Sequence, residues 1–576
     1  MFNRAKLKRI NGCKTAIAIG SLDMLNPLRF VVLCDSLELP LWQSISLREA
    51  VEAGVAEPVG IVVRHSEPVK NKISKWRKRY QDRKLLLWRL FNRFYVNRCS
   101  KAVDPVNMGK FLENVPVYFD DPVRITKYRE QLSIGAIQFV KNSNPDFVLR
   151  FGFGILDGEI LDCARYGVWS YHHGDPTQFR GQPPGFWEIA KKVPVTGVVL
   201  QRLSNELDGG EILHSGFFKT TFQSYAKTRD AIYLGSSSWL RRTCFDIIAN
   251  GYRPTAQSTS GATGPVFRQP QNLDMLKFLI TTVNEFFWAQ IIFKLFRQNW
   301  NCGIIEAPIH VVAGLERDEQ QSRALRSTRW MPTSRGIFKA DPFGYQRKAN
   351  GDIRILFELF SWRSKLGSIA SVNYRDNVFG PIETVLDAPT HLSYPFIFNR
   401  DDDAYFVPEH SAARDISLFK LDTTGNSVKK TTIFSKSELI DSTFIHWDER
   451  FWMFSLDETK SKNTDLHIHY ADDLEGPWKA HPLNPVKSDV QSARPGGTPF
   501  VYNGKLFRPS QDCSTHYGSA AVINEVKVLN LSDFQEVTVS RVQPLTDGPY
   551  SYGLHTISAI GDHTLIDGAR KTSVFR

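Results

Sequence analysis

Cysteine is scarce and scattered in this chain of 576 residues: there are seven, at positions 13, 34, 99, 163, 244, 302 and 513. No two stand close enough to form half of a zinc site, and the odd number argues against a disulfide framework. Reduced thiols, no metal centre and a cytoplasmic location, including the inner face of the membrane, are therefore expected. Long hydrophobic runs are missing too. The most apolar segment, 278–296, carries Glu285 and Lys294 and reads as an amphipathic helix, short of the ~20 apolar residues of a span. An export signal is not apparent, because the apolar stretch after the basic residues 1–14 is short and broken.

What is present is the composition of a globular protein with more than one domain: 42% hydrophobic, 23% charged and 12% aromatic. The formal charge is +12. Much of it lies in residues 70–98, where eleven Lys or Arg stand against one acid, Asp82. Trp76, Tyr80, Leu87, Trp88, Phe91 and Phe94 interleave with them at roughly helical spacing. That pattern suits a helix lying on an anionic membrane surface better than a nucleic-acid groove. A plain solvated helix face is the other reading.

Along the first third, apolar runs alternate with helical segments. LRFVVLCD (28–35), PVGIVVRH (58–65), VPVYF (115–119), PDFVLRFGFGIL (145–156) and GVWSYH (167–172) read as strands, and 40–54, 125–144 and 225–250 as helices. Such alternation predicts a parallel α/β sheet, whose ligands bind beyond the carboxyl ends of the strands. Residues 1–250 form this domain, with 70–98 as a basic helical insertion. Residues 251–302 follow as a linker and an amphipathic helix. From about 303 to 576 the pattern becomes a repeated hairpin, an apolar run, a polar turn and a second apolar run, starting near 340, 393, 441, 496 and 555. Five such units predict an all-β five-bladed propeller. The last unit is short of strands, so residues about 303–335, including IIEAPIHVV (304–312), should complete it.

Residues 170–188, SYHHGDPTQFRGQPPGFWE, follow a strand, where chemistry is expected. Together with TGVVLQRLSNELDGGEIL (196–213) and RFGFGIL (150–156), this stretch resembles the folate-dependent formyltransferase family. The resemblance places His172 on the family's histidine, Arg180-Gly181 on its R-G pair and Asp208 on its aspartate. It implies a Rossmann-like α/β fold, 10-formyltetrahydrofolate as donor, and folate contacts from Phe151, Gly152, Phe153, Gly154, Ile155 and Leu156. In the chemistry it implies, His172 takes the proton that an attacking amine loses, and Asp208 orients it. The family's oxyanion donor is an asparagine, but here Ser170 stands in its place. His173 is the expected substitute donor.

The second half offers acids and cations at the hairpin ends: Asp341, Glu409, Asp441, Arg494, Gln511, Asp512 and His555. In a propeller, equivalent positions of successive blades gather at one mouth, so these residues are expected to line a sugar-binding pocket. A channel filled by mutual salt bridges is the alternative. The patterns A-D-P-F, V-P-E-H and A-R-P-G-G resemble five-bladed propellers of furanoside- and arabinan-type glycoside hydrolases. They look closest to the N-terminal domain of the plant glucosamine inositolphosphorylceramide transferase.

The reading is a formyltransferase-like enzyme that N-formylates an amino sugar for a surface polysaccharide or glycolipid, joined to a carbohydrate-handling propeller. The alternative is a glycan-binding or glycosidase-like propeller protein with a degenerate first domain. Expected partners are an amino-sugar or glycan substrate and an anionic membrane surface touched through the basic amphipathic helices. No nucleic acid is expected.

Overall fold

The structure is a computed structural model. It describes residues 26–65, 83–126, 128–205, 209–253, 263–346, 352–400, 403–422 and 427–574.

The first domain is built on one seven-stranded sheet: β1 (Leu28–Cys34), β2 (Ala56–Arg64), β3 (Val117–Asp120), β4 (Phe147–Arg150), β5 (Val168–His172), β6 (Val195–Arg202) and β7 (Glu211–Lys219). Its order is β7-β6-β5-β4-β1-β2-β3. The five strands from β5 to β3 are parallel, and β6 and β7 run antiparallel. The order reverses beside β1 and β4, so the loops after these strands diverge and leave a crevice between them. Val31, Val32, Leu33, Val148 and Leu149 are fully buried or nearly so, as strands covered on both faces require.

Two local expectations change. Residues 125–144 are not one helix: Arg129–Gln131 is a strand, and the helix runs only over Ile134–Ser143. Ser133 starts it by accepting a bond from the Ala136 amide at 3.1 Å. The basic segment is described from Arg83. It forms a helix over Leu86–Phe91, then a wider turn over Asn92–Val96. Trp88 is buried, and Phe91 packs with it against Phe186, Tyr225 and Phe278. That side is therefore a structural contact rather than a free apolar strip. Trp76 and Tyr80 lie outside the described residues.

Beyond the helix Asn272–Leu295 come five antiparallel sheets. Four are meanders in chain order, beginning with Ile337–Gln346, Ser393–Arg400, Leu439–Trp447 and Phe500–Tyr502. The fifth takes strands from both ends of this half: Ile557–Ile560, His563–Ser573, Phe296–Ile305 and Arg329–Trp330. The completing strand begins at Phe296, ahead of the expected boundary at 303. Residues Ile309–Val312 are a helical turn rather than part of it. Two hairpin turns read from sequence have the left-handed pairs that tight turns demand: Asp448 and Glu449, and Asn503 and Gly504.

The two halves share a core. Val198, Phe218 and Trp239 pack in one cluster with Trp452, Leu466, Leu483 and Leu506. Arg241 and Arg242, from the helix Trp239–Asn250, donate to the carbonyls of Pro482 (2.9 Å) and Pro485 (2.8 Å).

Ending the chain at residue 562 would leave the ten backbone pairings between Phe296–Ile305 and residues 564–573 unmade. The shortened protein should lose its sharp thermal transition by circular dichroism and aggregate. Cooperative unfolding at an unchanged midpoint would contradict this reading of the closure.

Candidate functional site

Two constellations follow from the fold. The first sits at the end of β5. Side chains alternate along a strand, so Ser170 and His172 share one face while Tyr171 and His173 take the other. His173 is buried. It lies against the rings of Trp42 (5.0 Å) and Tyr233 (4.1 Å), with Nε2 3.3 Å from Ser236 Oγ. Burial, with His172 nearby, holds its pKa well below the usual histidine range. The expectation that His173 replaces the missing amide is thus overturned: its neighbour's face, not its own, meets the site.

His172 Nε2 lies 3.2 Å from the Phe179 carbonyl. A carbonyl only accepts, so this nitrogen carries the hydrogen and Nδ1 is the basic one. Ser170 Oγ accepts from Arg150 Nη1 at 2.9 Å, and its own proton reaches only the Tyr171 carbonyl, at 3.5 Å. Arg150, the last residue of β4, also donates to the carbonyls of Phe153 and Gly154 at 3.1 Å. This guanidinium was missed in the sequence, although it opens the RFGFGIL motif. Asp208 lies outside the described residues.

The loop 151–156 is saturated from within. The amides of Phe151 and Gly152 donate to the Leu33 carbonyl (2.8 and 3.0 Å), that of Phe153 to Asp35 (3.1 Å), and that of Gly154 to Glu130. Phe153 is buried, with the Arg64 guanidinium 4.6 Å above its ring. Ile155 and Leu156 form a short strand against Arg129–Gln131. As amide donors for a folate, residues 151–155 do not fit, because Leu33, Asp35, Glu130 and Tyr128 already take their N–H groups.

The second constellation lies where the inner strands of the sheets converge. Each of three inner strands carries a bulge at the same place, and each bulge holds a residue in the left-handed region: Asp341 (φ 53°), Tyr394 (φ 44°) and Asp441 (φ 50°). Non-glycine residues stay there only when their surroundings hold them. The surroundings here are acids. The Asp341 amide donates to Asp567 (3.1 Å), and the Asp441 amide to Glu409 (3.2 Å). Arg494 pairs with Asp441 (2.5 Å) and bonds Asn463 (3.0 Å). Gln511 donates to Asp441 (2.9 Å) and to the Pro495 carbonyl (2.7 Å), while its Oε1 is buried with no partner among the described residues. His555 stacks on Trp300 (4.0 Å) between Asp567 (2.5 Å) and Asp341 (3.6 Å).

Six of the seven expected residues therefore come together. Asp512 does not join them; it pairs with Arg541 and accepts from the Ser514 amide. Tyr394 is not a sugar platform, since its ring is buried and its hydroxyl bonds Thr443 and the Gly497 amide, both at 2.8 Å. Sequence reasoning missed Glu358 and Asp567. Glu358 faces Ala340, the residue before the Asp341 bulge, as Glu409 faces Ser393 before the Tyr394 bulge.

Five carboxyl groups thus meet Arg494 and His555. Burial, then the neighbouring acids Asp341 and Glu409, push Glu358 well above the carboxylate range. Burial and Asp441 do the same to Glu409. Burial raises Asp341 to about 6 in spite of His555. Burial works against the charge of His555, but Asp567 and Asp341 leave its pKa raised. Acids of raised proton affinity thus stand beside Arg494 and His555, the arrangement that acid–base chemistry and recognition of hydroxyl groups both use.

Residues 328–549 match the family model described as glucosamine inositolphosphorylceramide transferase 1, N-terminal. The transferase of that name from Arabidopsis thaliana is 33% identical over 210 residues, which cover 35% of this chain and 27% of that protein. Methionyl-tRNA formyltransferase from Clostridium perfringens is 31% identical over 159 residues, covering 27% of this chain and 49% of that enzyme. The chain thus spans about a quarter and about half of these relatives. Among solved structures, an exo-β-1,3-galactanase from Phanerochaete chrysosporium aligns at 13% identity and a TM-score of 0.27, over 36% of this chain and 54% of that one.

Two outcomes test the cluster. An aspartate whose folded pKa is raised stabilises the fold below its unfolded value, and that stability is lost as the pH rises through the folded value. Relative to Asp341→Asn, the native protein should lose thermal stability between pH ~4 and about 6; a difference that stays flat with pH would refute the raised value. Arg494→Met should lower stability by about 3–5 kcal/mol in denaturant titration, because Asp441 loses its buried partner. A change within ~0.5 kcal/mol would mean that the acids do not need it.

One chain therefore combines similarity to methionyl-tRNA formyltransferase with a region matching the N-terminal family of glucosamine inositolphosphorylceramide transferase 1.

Proposed function

We propose that the chain is a one-carbon acyl transferase that N-formylates an amino sugar, with a Rossmann-like first domain as catalyst and a five-bladed propeller as carbohydrate-binding partner. The observation that carries this reading is the shared face of Ser170 and His172 at the end of β5, with Arg150 donating to Ser170. His172 Nδ1 accepts the proton released by the attacking amine, and Asp208 stabilises the resulting imidazolium. The Ser170 hydroxyl, held by Arg150, turns its proton to the developing oxyanion in place of an amide donor. The saturated loop 151–156 supplies no contact to the acyl donor through its amides, so no step is assigned to it. The acid cluster supports the sugar half of the reading: buried Gln511 Oε1 and the mixed carboxyl groups suit a polyhydroxyl ligand.

The test is formyl transfer from 10-formyltetrahydrofolate to hexosamine acceptors, followed by mass spectrometry. Wild type should form the N-formyl product. His172→Ala should reduce the rate by ~10²–10⁴-fold with an unchanged melting curve, whereas Asp512→Asn should leave it intact. Equal activity in His172→Ala would remove the assignment. A second reading, a glycosidase-like or glycan-binding protein, is favoured by the raised carboxyl groups of Asp341 and Glu409. It requires hydrolysis or binding of furanosides that survives His172→Ala, with no formyl product from wild type.

A further inference from the structure

The helix Asn272–Leu295 is held at its two ends, by the packing of its first turns and by the strand Phe296–Ile305 that continues it. Met275 and Phe278 are buried against Phe186 and Tyr225, and Leu279 is partly covered. Between these ends much of its apolar surface is uncovered. Phe286, Phe287, Trp288, Ile291 and Ile292 are all exposed, Phe287 by 59% and Trp288 by 55%. An apolar helix with this much uncovered surface calls for an apolar environment that the described residues do not supply.

The charges around it say which environment. The two acids of the helix are occupied: Asp274 accepts from the Gln271 amide at 2.9 Å, and Glu285 pairs with Lys192 at 2.7 Å. Lys277 and Lys294 are exposed. The neighbouring residues 83–98 carry five arginines and lysines and no acid. They are pinned to the start of the helix, because Asn272 accepts from the Leu87 amide (3.0 Å) and donates to the Arg83 carbonyl (2.7 Å). Leu86, Leu90 and Phe94 are exposed among these charges.

We propose that this paired element, the protruding helix and the basic segment beside it, docks the protein on the surface of an anionic lipid bilayer. The side chains of Phe286, Phe287, Trp288, Ile291 and Ile292 enter the acyl boundary, and Lys294 reaches back to the headgroups. Arginines 89, 93 and 98 meet the lipid charge. The helix lies in the surface and does not cross it: among the described residues no helix is long and apolar enough to span. A second copy of the chain is the poorer occupant, because pairing two such faces would bring two like-charged basic segments together.

Co-sedimentation of the full chain with phosphatidylcholine vesicles, with and without phosphatidylglycerol, tests this. Binding should require phosphatidylglycerol and weaken with salt. The triple variant Phe287→Glu, Trp288→Glu, Ile291→Glu should lower the partition coefficient about tenfold or more, and so should Arg89→Glu with Arg93→Glu. Both should keep the wild-type melting curve, since the side chains changed in the triple variant are exposed and contribute nothing to the core. Wild type that stays in the supernatant overturns the proposal. So does a wild-type dimer by light scattering that the triple variant turns into a monomer without any vesicle binding.

Discussion

The strand from the start of the β-rich half, Phe296–Ile305, pairs residue by residue with the strand at its end, His563–Ser573. On this closure the site depends. Asp567 sits within that pairing, opposite Cys302, and from there its carboxylate holds the amides of Asp341, His555 and Thr556. Trp300, on the other strand of the pair, supplies the face on which His555 stacks. Two strands far apart in sequence thus bring an acid, a histidine and an indole beside the Asp341 bulge. Without the pairing, the left-handed Asp341 would lose the carboxylate that accepts from its amide.

Electrostatics then set what the cluster does. Isolated, each buried carboxylate would cost several kcal/mol to desolvate. The fold offsets this by pairing with Arg494 and His555, by backbone amides donated at the bulges, and by the raised proton affinity of Glu358 and Glu409. The acids therefore act as a coupled unit, and a change at one position alters its neighbours' proton affinity. The shared core between the halves has a related consequence. Trp239 and Phe218 are packed with Trp452 and Leu466, so the first domain is mounted on the sheets rather than tethered to them.

Much of this was legible in the sequence, and the gaps have physical causes. Hairpins announced themselves through polar turns such as NGK, where left-handed residues are needed. Asp341, Asp441 and Arg494 were found because they recur at the same place in the repeat. Glu358 and Asp567 were missed because they sit inside apolar runs, ILFELF and HTLIDGA, and only cross-strand register shows that they face the bulges. The pair His172-His173 was half read: composition marks both as chemical, yet strand alternation sends the second into the aromatic core. Arg150 was passed over because a lone arginine ending a strand carries no signal until its distance to Ser170 is known. The basic segment was half read for a different reason. Its aromatics have the spacing of an exposed stripe, but Trp88 and Phe91 found a partner in the helix that begins at Asn272.

The central claim is that the acid cluster recognises the sugar on which the chain acts. Ligand-observed saturation-transfer NMR with a hexosamine-containing oligosaccharide measures this most directly. Sugar-ring resonances should gain intensity with wild type and with His172→Ala, and lose it with Asp441→Asn, which removes the charge shared by Arg494 and Gln511. No transfer to the sugar in wild type, or transfer that Asp441→Asn leaves unchanged, would contradict the account.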